Sequence, residues 1–127
     1  MNDWDVPYRQ SVHEALAVLS GQWTVAVLAT LALGERQFSD LLSEVNIGEE
    51  RVGWLSHPKP LTARVLTDTL RRLQGHGLVE RRAEGTQFSA VHYQLSAEGR
   101  TLLSALRPLA SWAQQHREPA PACPQGN

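Results

Sequence analysis

Cysteine is almost absent from this 127-residue sequence, whose one cysteine, Cys123, lies in the segment EPAPACPQGN. A single thiol cannot form an intrachain disulfide, and a zinc site with Cys-x-x-Cys spacing is excluded. No pair of histidines has a metal-ligand spacing such as His-x-x-x-His; the histidines are His13, His57, His76, His92 and His116. We therefore expect no metal, no cofactor and no disulfide, a combination typical of a reducing cytoplasm.

Long apolar runs are also missing. The longest, TVAVLATLALG at residues 24–34, is far shorter than the roughly 20 residues that cross a bilayer as a helix. The N-terminal segment MNDWDVPYRQ is acidic and polar, unlike a signal peptide. The sequence contains no recognisable nucleophile-base pair, phosphate-binding loop or metal cluster. These absences predict a cytoplasmic protein that has no membrane partner and is not an enzyme.

Charge of one sign does not dominate the whole chain, but it dominates one segment. The formal net charge is −1, from 12 basic and 13 acidic residues. Residues 59–82 contain six basic and two acidic residues, so this segment carries +4 and the remainder −5. A local excess of positive charge is what a surface that faces phosphates requires. The nearly neutral total therefore does not exclude a nucleic-acid partner.

Helical patterns fill the first third of the chain. SVHE at residues 11–14 has the form of a capping box and predicts a first helix over about 12–20. The apolar segment WTVAVLATLAL predicts a buried second helix that ends at Gly34, and QFSDLLSEV predicts a short third helix. Residues 46–60 contain two glycines, two prolines and several charges, and we expect an unusually long loop there.

The segment LTARVLTDTLRRLQGHG predicts a fourth helix over residues 61–74 with two different faces. Its inward stripe comprises Val65, Leu66, Leu70 and Leu73. Its opposite side carries hydroxyl and charged groups, from Thr62, Arg64, Thr67, Asp68 and Arg71. On pattern alone, this polar side is that of any solvated amphipathic helix. Arg72 lies at the flank of the inward stripe, where its stem can extend along apolar surface.

The last part of the chain predicts a β-hairpin followed by a long helix. LVERR and VHYQL alternate in polarity, and we expect two strands over residues 78–95 with a long polar tip. Ser96 is a candidate N-cap for a helix over about 97–116, in which Pro108 removes one backbone donor. We expect residues 118–127, which are rich in proline, to be a disordered tail.

This order of elements is that of a winged helix-turn-helix, a mainly α fold with a small β-hairpin. A helix with hydroxyl and guanidinium groups fits the major groove of DNA, and a neighbouring basic hairpin can contact the flanking backbone. We therefore divide the chain into an N-terminal arm (1–10), a winged helix-turn-helix domain (11–117) and the tail.

Residues 11–113 also resemble the HxlR family of bacterial transcriptional regulators. Several short motifs match in order: Gly-x-Trp, Gly-x-x-x-Phe, a Leu-Thr-x-x-Leu-x-x-Leu helix, Gly-Leu-Val and Tyr-x-Leu-Ser-x-x-Gly. The matching residues are Gly21, Trp23, Gly34, Phe38, Leu66, Thr67, Leu70, Leu73, Gly77, Leu78, Val79, Tyr93, Leu95, Ser96, Gly99 and Trp112.

The resemblance implies a homodimeric DNA-binding repressor or activator whose N- and C-terminal helices pair with those of a second copy. Its partner would be double-stranded DNA with a pseudo-palindromic operator, and control by an unidentified small molecule is compatible with it. The candidate DNA-binding residues are Lys59, Thr62, Ala63, Arg64, Thr67, Asp68, Arg71, Arg81 and Arg82. The candidate dimerisation residues are Leu16, Leu102, Leu106, Leu109 and Trp112.

Three departures from the family pattern bear on function. Thiol-sensing members carry a cysteine just before the first helix, where this chain has Gln10. The wing segment FSAVHY lacks the usual arginine and has His92 in place of an acid, which favours Arg81 and Arg82 as phosphate contacts. The 46–60 loop resembles an insertion, and Trp54 within it is a candidate for packing on the core, for a ligand pocket or for the dimer contact.

Two classes of function remain open at this point. The first is a DNA-binding transcriptional regulator. The second is a winged-helix module that binds another protein, which the modest net charge and the missing wing arginine favour. Trp23 and Trp112 are interpreted as core or dimer packing in either case.

Overall fold

The structure, a computed structural model, describes residues 6–51, 59–83 and 91–117. Five helices and three short strands are present there, and the predicted class of a mainly helical fold with a small sheet is confirmed. In chain order the elements are α1 (Val6–Leu19), α2 (Thr24–Leu31), β1 (Arg36–Gln37), α3 (Phe38–Arg51), α4 (Ala63–Gly75), β2 (Val79–Ala83), β3 (Val91–Leu95) and α5 (Ala97–Gln115). Trp54 and the predicted tail lie outside the described residues.

Helix α1 begins earlier than the sequence predicts. Residues 6–10, assigned above to an N-terminal arm, belong to the helix, and the predicted start near residue 12 is wrong. Ser11 is not an N-cap, because its hydroxyl donates to the carbonyl of Pro7 within the helix, at 3.1 Å. Pro7 sits in the first turn, where a missing N–H costs no helical hydrogen bond. Not one residue of α1 is buried in the single chain.

The hydrophobic core lies where α2, α3 and α4 meet the sheet. Leucines of α2, α3 and α4 supply most of it, and Trp23 is 4% exposed, as the sequence predicts. Val65 is 39% exposed, so its assignment to the inward stripe of α4 is wrong. The inward position is taken by Thr69, whose hydroxyl donates to the carbonyl of Val65 at 2.8 Å and is thereby satisfied within the helix.

Helix α3 is much longer than predicted and runs to Arg51, so residues 46–51 are helix rather than loop. Leu41, Val45 and Glu49 are buried at intervals of four residues, which continues the helical period beyond the predicted end. Gly48 does not break the helix, and a side chain there would meet nothing within 4 Å.

The sheet has the order β1-β3-β2, and both pairings are antiparallel. Val79 pairs with Leu95 and Arg81 with Tyr93, which confirms the predicted hairpin. The two-residue strand β1 was not predicted, because two residues carry no alternation signal. The predicted hairpin tip lies in residues 84–90, outside the described part of the chain.

Helix α5 starts on the N-cap that the sequence predicts. The Ser96 hydroxyl accepts a hydrogen bond from the N–H of Gly99 at 3.0 Å and donates to the carbonyl of Gly77 at 2.6 Å. The helix continues through Pro108 to Gln115. In the described ranges, no single helix is long and apolar enough to cross a bilayer; α1 and α2 reach that length only as a pair bent by 79°.

Candidate nucleic-acid interface

The N-terminus of α4 is fixed by a cap and by a clamp. Thr62 is the N-cap, and its hydroxyl oxygen accepts a hydrogen bond from the N–H of Val65 at 3.3 Å. The Asn46 side chain of α3 clamps the preceding residue, because its amide donates to the Leu61 carbonyl at 3.1 Å and its oxygen accepts from the Leu61 N–H at 2.8 Å. The first turn of α4 is therefore held against α3 by two hydrogen bonds to one backbone unit.

Sequence reasoning missed Asn46, because residues 46–60 were interpreted as a loop. No hydrophobic signal in the sequence marks the extension of α3, because the residue that continues the burial period of Leu41 and Val45 is the charged Glu49. In the structure Asn46 lies within α3, and its side chain bonds to a residue 15 positions away rather than within its own turn.

Replacement of Asn46 by alanine should lower the free energy of unfolding by about 1–3 kcal/mol, because the half-buried backbone groups of Leu61 lose both partners. Urea denaturation measures this. Ser43→Ala, at an exposed position of the same helix, is the matched control and should change stability by less than about 0.5 kcal/mol. Equal stability of the two variants would contradict the clamp.

One face of α4 carries three exposed charged side chains, Arg64, Asp68 and Arg71, which we call the charged α4 face. Positions 64 and 71 are two turns apart, which places the two arginines about 10 Å apart along the helix axis. Within the described residues, none of the three forms an ion pair or a side-chain hydrogen bond. The two guanidinium groups are therefore available to an external acceptor.

The two threonines of the predicted interface differ in availability. Thr67 is half-buried, and its hydroxyl donates to the carbonyl of Ala63 at 2.9 Å, so its proton is used within the helix. Thr62 uses a lone pair in the cap and keeps its proton for an acceptor such as a phosphate oxygen. Ala63 and Lys59 are exposed, before or at the start of α4.

Arg72 points away from the charged α4 face and joins α4 to the α1–α2 turn. Its guanidinium donates to the Thr24 hydroxyl at 2.7 Å and to the Val18 carbonyl at 3.4 Å. The same group lies against Gly21, whose φ of +110° is a left-handed conformation that glycine adopts readily. The half-buried Arg72 thus fixes the orientation of α4 relative to α1.

Arg81 and Arg82, at the base of the hairpin, point to opposite faces of the sheet because successive strand residues alternate. Arg82 contacts the carboxylate of Glu35 and the side-chain oxygen of Gln94, both at 3.3 Å. Gln94 in turn donates to Glu80 at 2.9 Å. Arg82 is therefore engaged within the sheet, whereas Arg81 is exposed beside Tyr93.

The predicted interface thus comes together in part. Most of its residues lie at one helix: Lys59 comes before α4, Thr62 and Ala63 lie at its start, and the charged α4 face runs along it. Of the two wing arginines, Arg82 forms an ion pair with Glu35, and no ion pair of Arg81 is present among the described residues. In these described segments no group of three or more histidine, cysteine, aspartate or glutamate side chains could hold a metal ion.

The predicted dimerisation residues fall into two groups. Leu16, Leu109 and Trp112 are more than half exposed, at 52%, 55% and 58%. Leu102 and Leu106 are half-buried, and Leu102 packs against the core of its own chain. The ring of Trp112 stacks on His116 with centroids 4.5 Å apart.

Comparison with known proteins gives consistent results. The family model for the HxlR-like helix-turn-helix matches residues 18–121. An HTH-type transcriptional regulator of Methanothermobacter thermautotrophicus, itself uncharacterised, is 30% identical over 112 residues, which are 88% of this chain and 76% of the relative.

Two solved structures have the same fold. A transcriptional regulator of the MarR family from Enterococcus faecalis V583 has a TM-score of 0.71 at 27% identity, covering 91% of this chain and 93% of its own. The redox regulator HypR in its reduced form has a TM-score of 0.64 at 25% identity, covering 85% and 94%.

Proposed function

We propose a function for this chain, which belongs to the HxlR-like helix-turn-helix family of transcriptional regulators. It binds operator DNA as a homodimer and represses transcription in the cytoplasm. Helix α4 enters the major groove, and the hairpin contacts the flanking backbone. The observation that carries this proposal is the charged α4 face, whose two arginines have no partner among the described residues.

The side chains of the charged α4 face match the hydrogen-bonding groups that DNA presents. A guanidinium binds the N7 and O6 atoms of guanine with two hydrogen bonds, and it also binds phosphate oxygens. Asp68, between the two arginines, can accept a hydrogen bond from the amino group of cytosine. The free hydroxyl proton of Thr62 and the N-terminus of α4 are oriented to hold a phosphate.

Dimer formation explains the apolar surface that the single chain leaves exposed. Val6, Tyr8, Val12 and Leu16 of α1 are each at least 37% exposed. With Leu109 and Trp112 of α5, six large apolar side chains of these two helices are exposed in the single chain, and exposed apolar surface of this kind is typical of a protein contact. A two-fold dimer built on these helices would present two copies of α4 about 34 Å apart, one turn of DNA, to a pseudo-palindromic operator.

Introducing glutamate at both Leu109 and Trp112 should convert the dimer to a monomer, because two carboxylates would lie at an apolar contact. Sedimentation equilibrium measures the change in mass. Leu33→Glu is the matched control, since Leu33 is an exposed leucine outside α1 and α5. A dimer that survives the double substitution would show that the C-terminal part of α5 is not at the contact.

The experiment that tests DNA binding is a salt titration. Affinity for the intergenic region next to the protein's own gene should fall steeply as salt rises, with a logarithmic slope of about −0.9 for each phosphate neutralised. A fragment of the same length and base composition in scrambled order is the control and should bind more weakly. The absence of any complex at low salt, with this or any genomic fragment, would refute the proposal.

A protein-binding module is the second candidate function. The observation that favours it is the engagement of Arg82 with Glu35, which reduces the positive charge that the hairpin can offer to DNA. This alternative predicts weak binding to DNA that is equal for the intergenic and scrambled fragments, so the same titration distinguishes the two.

Regulation by a thiol switch at the position used by thiol-sensing members is not part of the proposal. That position is Gln10, which lies within α1 and donates to Glu14 at 3.3 Å. A glutamine amide has no redox chemistry comparable to that of a thiolate. A small molecule remains the proposed effector.

A further inference from the structure

We propose that a cleft between α2 and α5 binds a small organic carboxylate with an apolar body. The cleft has a volume of about 480 Å³, within the range of small-molecule sites. Its lining combines apolar, hydroxyl and cationic side chains; the residues are Ala29, Ala32, Leu95, Arg100, Leu103, Ser104 and Arg107. That the bound molecule regulates transcription is a further step, which rests on the proposed function.

The wall supplied by α5 is one continuous stripe of the helix. Arg100, Leu103, Ser104 and Arg107 are spaced at i, i+3, i+4 and i+7, so their side chains emerge on the same side. This stripe begins and ends with an arginine, and its centre is a leucine and a hydroxyl. The two arginine side chains are long enough to reach one carboxylate placed over the middle of the stripe, and the apolar body of the ligand then lies against Leu103 and the alanines of α2.

The opposite wall is formed by α2 and is lined by small side chains. Ala29 and Ala32, one turn apart, leave the space into which a flat or narrow apolar group fits. Larger residues at these positions would fill the cleft. The same helix contributes Val27, Leu28 and Leu31 to the core, so the wall is anchored to the body of the domain.

The polar groups of the cleft have unused hydrogen-bonding capacity. Within the described residues, the side chains of Arg100, Ser104 and Arg107 have no hydrogen bond and no ion pair. An anion placed between the two guanidinium groups is attracted by both.

The cleft lies away from the proposed dimer contact. Arg100 and Leu109 are nine residues apart, which is about two and a half helical turns, so they point to opposite sides of α5. A second copy seated on Leu109 therefore lies on the side of α5 opposite Arg100. A ligand there would contact both α2, which packs on α3, and α5, and could alter how the DNA-binding helices are held relative to the dimer.

Benzoate is the probe that tests the site, with the free protein and no DNA. Calorimetry or amide chemical shifts should give saturable binding with a dissociation constant on the order of 1 mM. Arg100→Gln and Arg107→Gln should each weaken binding about tenfold, the loss expected for one charge-assisted hydrogen bond. Ala29→Leu should abolish it by filling the cleft, and Arg117→Gln, beyond the end of α5, should leave it unchanged.

Two further probes separate the contributions of charge and ring. Benzyl alcohol has the ring without the charge and sulfate has charge without a ring, so neither should compete with benzoate. Thermal unfolding of each variant verifies that the fold is intact. No saturable binding of benzoate, or equal binding to Ala29→Leu and wild type, would overturn the site.

The regulatory step has its own readout. If the proposed function holds, saturating benzoate should change operator affinity in the wild type and not in Ala29→Leu. Benzoate that binds without changing operator affinity would overturn the regulatory step alone. A protein that binds benzoate but no DNA would refute the proposed function and leave the ligand site intact.

Discussion

Substitution of alanine for both Arg64 and Arg71 should lower operator affinity by about 2–6 kcal/mol, or at least about thirtyfold. Each arginine that pairs with a base contributes about 1–3 kcal/mol. The two positions are separated by two helical turns and have no described partner in common, so their effects should add. Quantitative gel shifts with the single and double variants measure both the individual losses and their sum.

Arg100 and Arg117 provide the matched control for net charge. Both are exposed and lie outside α4, the hairpin and the proposed dimer contact, near the start of α5 and just after its end. Their double replacement by alanine removes the same two positive charges and should reduce affinity only slightly, through long-range electrostatics. An equal loss in the two double variants would mean that α4 contributes charge but no direct contact.

The scrambled fragment separates base contacts from phosphate contacts at the same two residues. Replacing an arginine that binds a base should lower the affinity of the protein for the operator and not for scrambled DNA. Replacing one that binds a phosphate should lower the affinity for both fragments. We expect Arg64, near the N-terminus of α4, to affect mainly the operator, because the first residues of a recognition helix contact base edges.

Replacement of Gly99 by alanine should lower the free energy of unfolding by about 2–4 kcal/mol, a large part of the stability of a domain of this size. A methyl group at this buried position would clash with the backbone carbonyl of Leu78 and would lie 3.1 Å from Cδ2 of Leu95. The Leu78 carbonyl cannot move easily, because it accepts the hydrogen bond from the Ser96 N–H at 3.0 Å. Urea denaturation followed by circular dichroism measures the loss.

Gly48→Ala is the control for helix propensity. Gly48 is also inside a helix, but a side chain there meets nothing within 4 Å, so alanine should stabilise the protein by about 0.5–1 kcal/mol. The two substitutions are chemically identical and are expected to have opposite signs. Comparable stability of Gly99→Ala and wild type would show that α5 can move away from the hairpin at little cost.

The fold was predictable because most of its elements have strong periodic signals. The leucine period of α4, the alternation of β2 and β3 and the Ser96 cap are each local patterns, and the structure confirms all three. The start of α1 was predicted wrongly because a local pattern was misleading. SVHE has the form of a capping box, but Ser11 lies inside the helix and its hydroxyl donates to the carbonyl of Pro7.

The candidate site was less predictable, because it depends on contacts between distant positions. The charged residues of α4 could be placed on one face from their spacing alone. The clamp from Asn46 to Leu61 spans 15 residues, and the engagement of Arg82 with Glu35 spans 47. No local pattern in the sequence identifies the partners in either pair, since an exposed arginine has many possible acceptors. The α2–α5 cleft likewise requires knowing that the two helices are neighbours.

The contact between Gly21 and Arg72 has a consequence for how sequences of this fold can diverge. A side chain at position 21 and a guanidinium at position 72 occupy the same volume, and the positive φ of Gly21 adds a second constraint. Any side chain is strained at φ +110°, so we expect glycine at the equivalent of position 21 in most relatives. Where a relative does carry a side chain there, the residue at the equivalent of 72 should be shorter, because the two side chains would otherwise share one volume.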